Sequence, residues 1–398
     1  MLQPLKGLRV IELGAILAAP YAGSLLGDLG AEVIKIEPPE GDTARSWPPF
    51  TDKAHLPASF LAFNRNKKSI CVDLKTDDGR EAYLRLADSA DAIIDNFRYG
   101  ASDRLGIGYE VVRARNPGAI YCSITGFGRS GPRAEEGAVD LLMQAFSGVM
   151  SVTGEPGRPP VRTATSTADI STGMFAVIGI LAALPERART GKGCLVEASL
   201  LEGQMHFLSN FWCNWLASGV LPQPMGSGQA ASAPYQAFPA KDGYVVVGCL
   251  TDRMFRDACK ALDRPDLPED PLFVDMKTRV ANRENTNKVF GDIVAQFTGE
   301  EVVRRMQSVG VPCSRVNTLE TLVNDPQVVA RGGLATVRHR SGEEYKIPRS
   351  PIRYNEETIE DYVPAPDLGQ HSREILAGVG YDEAEIEAMI GSGTIIEK

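Results

Sequence analysis

Short apolar runs separated by amphipathic stretches recur along the first half of the chain. Gly7-Leu8-Arg9-Val10-Ile11-Glu12-Leu13 and Ala31-Glu32-Val33-Ile34-Lys35-Ile36-Glu37 have the length and β-branched content of strands. Between them a helical run extends from Pro20 to Leu29, with proline suited to a first turn and Gly30 to a stop. Strand, helix and strand within about 30 residues form a βαβ unit, with a parallel, right-handed crossover. The alternation continues with strands over residues 68–74, 91–97 and 118–124, and a helix over 77–90. A helix follows over 140–148, where Asp140 and Gln144 lie four residues apart on one face.

Residues 174–184 are apolar on nearly every side, a pattern that predicts a helix buried all round. A strand follows over 194–199. Glycine, proline, serine and alanine dominate residues 218–234 and mark a boundary. Beyond it, residues 235–248 read as a hairpin through Lys241-Asp242-Gly243. Helical stretches near 253–261, 282–297 and 300–309 complete an α+β unit, and the tail ends in an amphipathic helix. No internal repeat is present.

Composition narrows the classes. A chain of 398 residues holds two domains, or one large domain with an insertion. Its net charge of -9 argues against a general nucleic-acid binder. No signal-peptide apolar region is expected at the N-terminus, nor an uninterrupted membrane span, and the reading is of a cytoplasmic protein. Seven scattered cysteines without a CxxC pair fit reduced thiols, and no metal-ligand spacing occurs.

Candidate chemistry centres on the stretch from Pro160 to Gly173, which is rich in small hydroxyl and methyl residues and holds one carboxylate, Asp169. It leads into the apolar helix, so Asp169 stands where backbone N–H groups lack partners. An N-cap is the plain structural account of such a residue. At the first βα turn, Gly14-Ala15-Ile16-Leu17-Ala18-Ala19-Pro20 lacks the glycines of a dinucleotide fingerprint, and NAD is rejected although Glu37 ends the second strand. The carboxyl ends of the strands carry Lys75, Asn96-Phe97-Arg98 and a glycine-rich turn after Ile124, with Arg104 one loop beyond. Cations, an aromatic and an amide gathered there suit a phosphorylated, ring-bearing ligand.

Many short strings, in order, resemble the class III CoA-transferase family, the group that includes formyl-CoA transferase and the carnitine and bile-acid CoA-transferases. They include the two strands above, Asn66-Lys67-Lys68-Ser69-Ile70, Asp95-Asn96-Phe97, Arg104-Leu105-Gly106 and Ser123-Ile124-Thr125-Gly126-Phe127-Gly128. They continue with Asp140 and Gln144-Ala145, Asp169, Ala233-Pro234-Tyr235-Gln236-Ala237-Phe238, Gly310-Val311-Pro312-Cys313 and Leu368-Gly369-Gln370-His371.

The resemblance implies an α/β fold: a large doubly wound, Rossmann-like parallel-sheet domain plus a smaller α+β domain, in an interlocked homodimer. Residues 1–200 would begin the large domain, 201–225 link it, 226–329 form the small domain and 330–398 return to complete the large one. It implies an aspartate nucleophile at Asp169, acting on an acyl-CoA thioester through a mixed anhydride and an aspartyl-CoA thioester. A carboxylate already ionised near pH 7 would need no general base. Coenzyme A would lie along Ile16, Leu17, Val72, Asp73, Leu74, Lys75, Asn96, Phe97, Arg98 and Arg104. Asp140, Gln144, Arg45, Trp47 and a glycine lid at Gly226 and Gly228 are candidates for the substrate side, and Arg162 is a further cation for a substrate carboxylate. Thioesters of coenzyme A are substrates, and no cofactor is expected to remain bound.

Two departures stand out. Leu17 replaces a glutamine of formyl-CoA transferases, which makes formate and oxalate poor substrates. Pro38 replaces an arginine, which leaves one phosphate contact unassigned. Succinyl-CoA as donor and a small dicarboxylic or hydroxy-dicarboxylic acid as acceptor are expected, intermolecularly or between two carboxylates of one acid. The rivals are an α-methylacyl-CoA racemase, which would want a histidine where Val139 stands, and a CoA-ester-binding protein without turnover.

Overall fold

Residue parity along the strands builds the main sheet, in a computed structural model that describes residues 2–53 and 55–397. In β1 (Arg9–Leu13) and β2 (Glu32–Glu37), Val10 and Val33 join the core on one face, and Ile11 and Ile34 the core on the other. A two-residue period requires this. With β3 (Lys67–Val72), β4 (Ala92–Asp95), β5 (Ile120–Thr125) and β6 (Leu195–Ser199) the order is β3-β2-β1-β4-β5-β6. Every neighbouring pair among these six is parallel. The C-terminal strand Ile395–Ile396 adds to β3 antiparallel. The strand order reverses direction between β1 and β4, the signature of a doubly wound sheet.

Five helices matter most to the sheet and its carboxyl edge: α1 (Ala18–Asp28), α2 (Asp77–Asp88), α3 (Asp140–Phe146), α4 (Thr167–Thr190) and α5 (Leu200–Phe207). α1 and α4 pack against each other on the Val10 face, whereas α2 and the C-terminal helices cover the Ile11 face through Tyr83, Leu86, Leu376 and Met389. Gly173 of α4 allows that helix close to α1, since a β-carbon there would sit 2.8 Å from the Ala18 carbonyl oxygen.

α4 departs from the expectation of burial all round. Ala176, Val177 and Ile180 are buried, but Met174 and Ile178, four residues apart, are 41% and 58% exposed. The helix is also long and apolar enough, by length and mean composition, to cross a membrane. Its inner face is nonetheless packed on α1, β5 and β6, as in the core helix of a folded domain.

The chain divides into two compact units. One comprises Met1–Val149, Thr163–Cys213 and Val329–Lys398, and contains the main sheet. The other comprises Met150–Arg162 and Asn214–Val328. It is built on β7 (Tyr235–Ala240), β8 (Gly243–Gly248) and β9 (Cys313–Arg315), paired antiparallel in that order. Its core holds the fully buried Arg279, which donates to the Ala233 and Phe273 carbonyls and pairs with Asp252. The stretch 201–225, expected to link domains, is helical over most of α5 and over Ser209–Ser218.

Charge lies where the strands' inward parity would place apolar side chains. Glu12, Lys35 and Lys67 of β1, β2 and β3 are all buried on the α1 side of the sheet. Lys35 Nζ lies 3.0 Å from Glu12 and 2.9 Å from Asp42, and donates to the Gly14 carbonyl oxygen at 2.6 Å. Lys67 Nζ lies 2.7 Å from Glu12 and donates to Pro20 and Phe63 carbonyls and to Asn64. Burial alone would strip the proton from Lys35, but Glu12, Asp42 and Glu37 outweigh it and raise its pKa. Lys67 has fewer acids near it, and burial pushes it down to about 8.

Gly23 of α1 makes room for this cluster: a β-carbon there would lie 2.0 Å from Glu12 Oε2. Alanine in a helix interior is normally better than glycine by about 1 kcal/mol. Gly23→Ala is expected to do the reverse, lowering stability by about 2–4 kcal/mol because it displaces a buried paired carboxylate. The midpoint of urea unfolding measures it.

Candidate active site

β1 ends at the reversal of strand order, and its turn into α1 is held from two sides. Asn96, one residue past β4, accepts the Ala15 N–H at 3.1 Å and donates to the Ala15 carbonyl at 3.0 Å. The Ile16 N–H donates to the Asp42 carboxylate, at 3.0 and 3.3 Å from its two oxygens. Ile16 has φ of 71°, a left-handed conformation that costs a β-branched residue roughly 1–2 kcal/mol. No side chain caps α1, whose cap position is Leu17. The turn after β4 is set by Asp95, which accepts from Tyr121 Oη and the Phe97 N–H, both at 2.8 Å, and from Ser102 Oγ.

Asp169 sits in the first turn of α4 and is not its cap. The cap position is Ser166, whose side chain makes no capping bond. Asp140 of α3 takes that role from outside the helix, accepting the Ala168 N–H at 2.9 Å. Its other oxygen accepts from Gln144 Nε2 at 2.7 Å, and Gln144 Oε1 in turn accepts the Thr163 N–H at 2.9 Å. Gln144, expected on the substrate side, is fully buried and serves as a strut between Asp140 and the loop leading to α4.

No hydrogen bond or ion pair reaches the Asp169 carboxylate among the described residues. Burial, and then repulsion from Asp140, push its pKa up to about 7. Against the expectation of a carboxylate already ionised, its carboxyl holds its proton well above the usual carboxylate range. A carboxylate left without partners in an apolar setting is basic and reactive.

Two cavities meet at Ala15 and Phe97. The first, about 520 Å³, is lined by Ile16, Leu17, Ala18, Asn96, Arg98, Tyr99, the 136–140 stretch and Asp169. The second, about 290 Å³, is lined by Pro38, Asp42, Val72, Asp73, Leu74, Lys75 and Leu105. Arg98 is exposed and makes no ion pair among the described residues. Its guanidinium occupies the space beside Gly137, where a β-carbon would lie 2.6 Å from Nη2. None of the four histidines lines either cavity.

Other expected residues lie elsewhere. Arg104 is exposed on a short helix and lines neither cavity, although its neighbour Leu105 does. Arg45 is committed to Glu37 through bonds of 2.7 Å and lies over the Phe60 ring. Glu37 also accepts from Ser69 Oγ and the Asp42 N–H, so it is not free to hold a ribose. Trp47 is exposed and lines neither cavity. Gly226, Gly228 and Arg162 belong to the second unit, where the Gly226 N–H donates to Gly154 and the Gly228 N–H to Met225. Asp42, Gly137 and Tyr99 were not singled out by sequence. A run of charges at inward parity in β1 and β2 is the signal that would have led to Asp42.

The model of CoA-transferase family III matches residues 5–372. The chain is 36% identical over 397 residues to succinyl-CoA:glutarate CoA-transferase of Mus musculus, covering 99% of this chain and 91% of the relative. It is 37% identical over 380 residues to a succinate–glutarate CoA-transferase of Agrobacterium fabrum, covering 94% and 95%. A solved CAIB/BAIF family protein from Brucella suis superposes with a TM-score of 0.86 at 39% identity, covering 95% of this chain and 100% of that one.

The Asp169 environment generates a stability test. Folding raises this carboxyl from near 4 to about 7. The native state therefore holds a proton that the unfolded chain releases, and stability falls as pH rises through that window. Asp169→Asn copies the protonated form. It should gain on the order of 2 kcal/mol at about pH 8, with the gain shrinking toward zero near pH 4. Denaturant titrations at both ends of the window decide it, and an equal gain at both would contradict the assignment.

Proposed function

The chain belongs to CoA-transferase family III, and from that premise we propose that it moves coenzyme A from succinyl-CoA to a small dicarboxylic acid through covalent intermediates on Asp169. The carrying observation is an unpartnered carboxylate at the reversal point of the sheet, on the wall of a cavity without histidine. The donor and the acceptor class are supported by the names of the relatives, which join succinyl-CoA or succinate to glutarate.

The steps balance without a base. Asp169 Oδ attacks the thioester carbonyl, the C–S bond breaks and the CoA thiolate leaves, giving a mixed anhydride. The thiolate then attacks the aspartyl carbonyl and expels the donor acid, leaving an aspartyl-CoA thioester. The acceptor carboxylate attacks this thioester to form a second anhydride, and the thiolate takes the acceptor's acyl group, regenerating Asp169. Each attack builds an oxyanion. In this reading the oxyanion is received by backbone N–H groups at the start of α1, where Leu17 and Ala18 line the cavity. Asp140 raises the basicity of Asp169 by its charge while fixing the start of α4 by its bond to Ala168.

Coenzyme A in this reading runs from the second cavity, past Ala15 and Phe97, into the first, along Ile16, Leu17, Val72 to Lys75 and Asn96 to Arg98. The enzyme works as a cytoplasmic homodimer. The exposed apolar positions Leu141, Leu142, Met174 and Ile178 on α3 and α4 support a subunit interface, and the seven free cysteines support a reducing compartment. Sedimentation at decreasing concentration should show a dimer and no stable folded monomer.

Intact-mass spectrometry after incubation with a panel of acyl-CoAs, with borohydride or hydroxylamine trapping, tests the chemistry. An adduct on the Asp169 peptide is expected with succinyl-CoA and absent from Asp169→Ala. Solvent deuterium entering the α-position with no adduct would identify a racemase instead. The pH profile is a second check: kcat/KM should rise with pH through about 7, because only the ionised carboxylate attacks. Asp140→Asn should move that limb to lower pH.

A further inference from the structure

The buried ion chain ends at the wall of the second cavity, and the reaction scheme has no role for its last member. Asp42 lies between β2 and the 3-10 turn Thr43–Ser46. One side of its carboxylate meets Lys35 Nζ at 2.9 Å, and its Oδ1 accepts the Ala44 N–H at 2.9 Å. The remaining contact is the Ile16 N–H, at a residue whose backbone lies in a region isoleucine avoids. Ile16 relaxes to negative φ unless something holds it. Nothing else bonds its N–H among the described residues.

We propose that Asp42 is a positioning residue: it holds Ile16 in the left-handed conformation and so, with Asn96 on Ala15, sets the wall shared by the thioester and nucleotide cavities. Lys35 fixes Asp42 in turn, through its bonds to Glu12 and the Gly14 carbonyl. The strained turn is thus referenced to the central strands and not to the mobile ligand. Lys35 and the backbone N–H donors of Ala44 and Ile16 outweigh the burial that would protonate Asp42, and they keep its pKa low. Asp42 and Lys35 therefore stay charged across the range in which Asp169 titrates. Charged groups facing Asp42 are Lys35 and, beyond it, Glu12, Glu37 and Lys67. This inference rests on the transferase reading for what the wall is used for, not for the geometry that Asp42 imposes.

The test compares variants by kcat/KM for the donor thioester at a temperature where circular dichroism shows each folded. Asp42→Ala should lose about tenfold to a hundredfold, the scale of small misplacements near reacting atoms. Asp28→Ala is the control for general destabilisation: Asp28 is buried at the far end of α1 and pairs with Arg65 at 2.6 Å. It should stay within about twofold of wild type at that temperature. Adding Ile16→Gly to Asp42→Ala should recover about threefold or more, because glycine adopts positive φ without the cost. Ile16→Pro removes the N–H and forces negative φ while leaving the Asp42–Lys35 pair intact. It should lose as much as Asp42→Ala, and it decides the matter if Asp42→Ala fails to fold. Equal losses in Asp42→Ala and Asp28→Ala, no recovery in the double variant, or an unimpaired Ile16→Pro would each overturn the proposal. Affinity for coenzyme A, by calorimetry on the same variants, reads the same wall without turnover. An inactive wild type would therefore sink the transferase reading while leaving this one decided.

Discussion

One ammonium group, Lys35 Nζ, sits in the sheet interior with three acceptors and no exposure. Removing such a charge from water costs several kcal/mol, and only near-complete pairing returns it. Lys35 reaches that condition by drawing three pieces of chain to one point: Glu12 within β1, Gly14 at its end, and Asp42 beyond β2. An apolar residue at the same position would pack as well but would fix none of these directions. The geometry of the β1–α1 turn, and hence of the cavity wall, follows from where that proton donor must find its partners.

The neighbouring site has the opposite arrangement. Asp169 has no compensating partner among the described residues, and the charge that acts on it is another carboxylate, Asp140. Asp140 does two things with one group: it satisfies an N–H at the start of α4, and it raises the proton affinity of the acid one residue further on. The first effect secures the helix and the second makes its acid basic. A closely paired ion chain behind the turn and an acid without a hydrogen bond or ion pair among the described residues set a rigid wall beside a basic carboxylate.

The alternation of strands and helices was legible because period-2 and period-3.6 patterns alternate cleanly through β6, and the sheet followed from it. α4 misled because its apolar sequence does not say which neighbour covers each side, and in the single chain Met174 and Ile178 are left exposed. Asp169 could be located but not assigned a geometry: its cap is supplied by Asp140, 29 residues earlier, and no local rule reports a cap from another helix. Gln144 and Arg45 looked like ligands although their partners are near in sequence, Asp140 four residues before Gln144 and Glu37 eight residues before Arg45, because a polar residue does not announce that a neighbour already engages it. Lys35 was the readable clue that went unused. In a parallel strand covered on both faces, a charge between Ile34 and Ile36 has to be buried and has to be paired.

The sheet has the strand order of dinucleotide-binding folds, yet the features that would bind a dinucleotide are each occupied otherwise. The first turn retains only Gly14, where a β-carbon would lie 2.4 Å from that of Ala19. The second and third glycines, which would let a pyrophosphate approach the backbone, are absent. Glu37, at the position of a ribose-binding acid, is closed off by Arg45 and Ser69. The crevice that the reversal of strand order creates is independent of those glycines, because it arises wherever neighbouring helices diverge to opposite faces. Replacing the phosphate cradle by a strained, carboxylate-held turn, and placing an acid from α4 on the crevice wall, changes what the crevice selects. It no longer cradles a pyrophosphate at a helix start. The crevice carries the Asp169 carboxylate on its wall, with the same topology underneath.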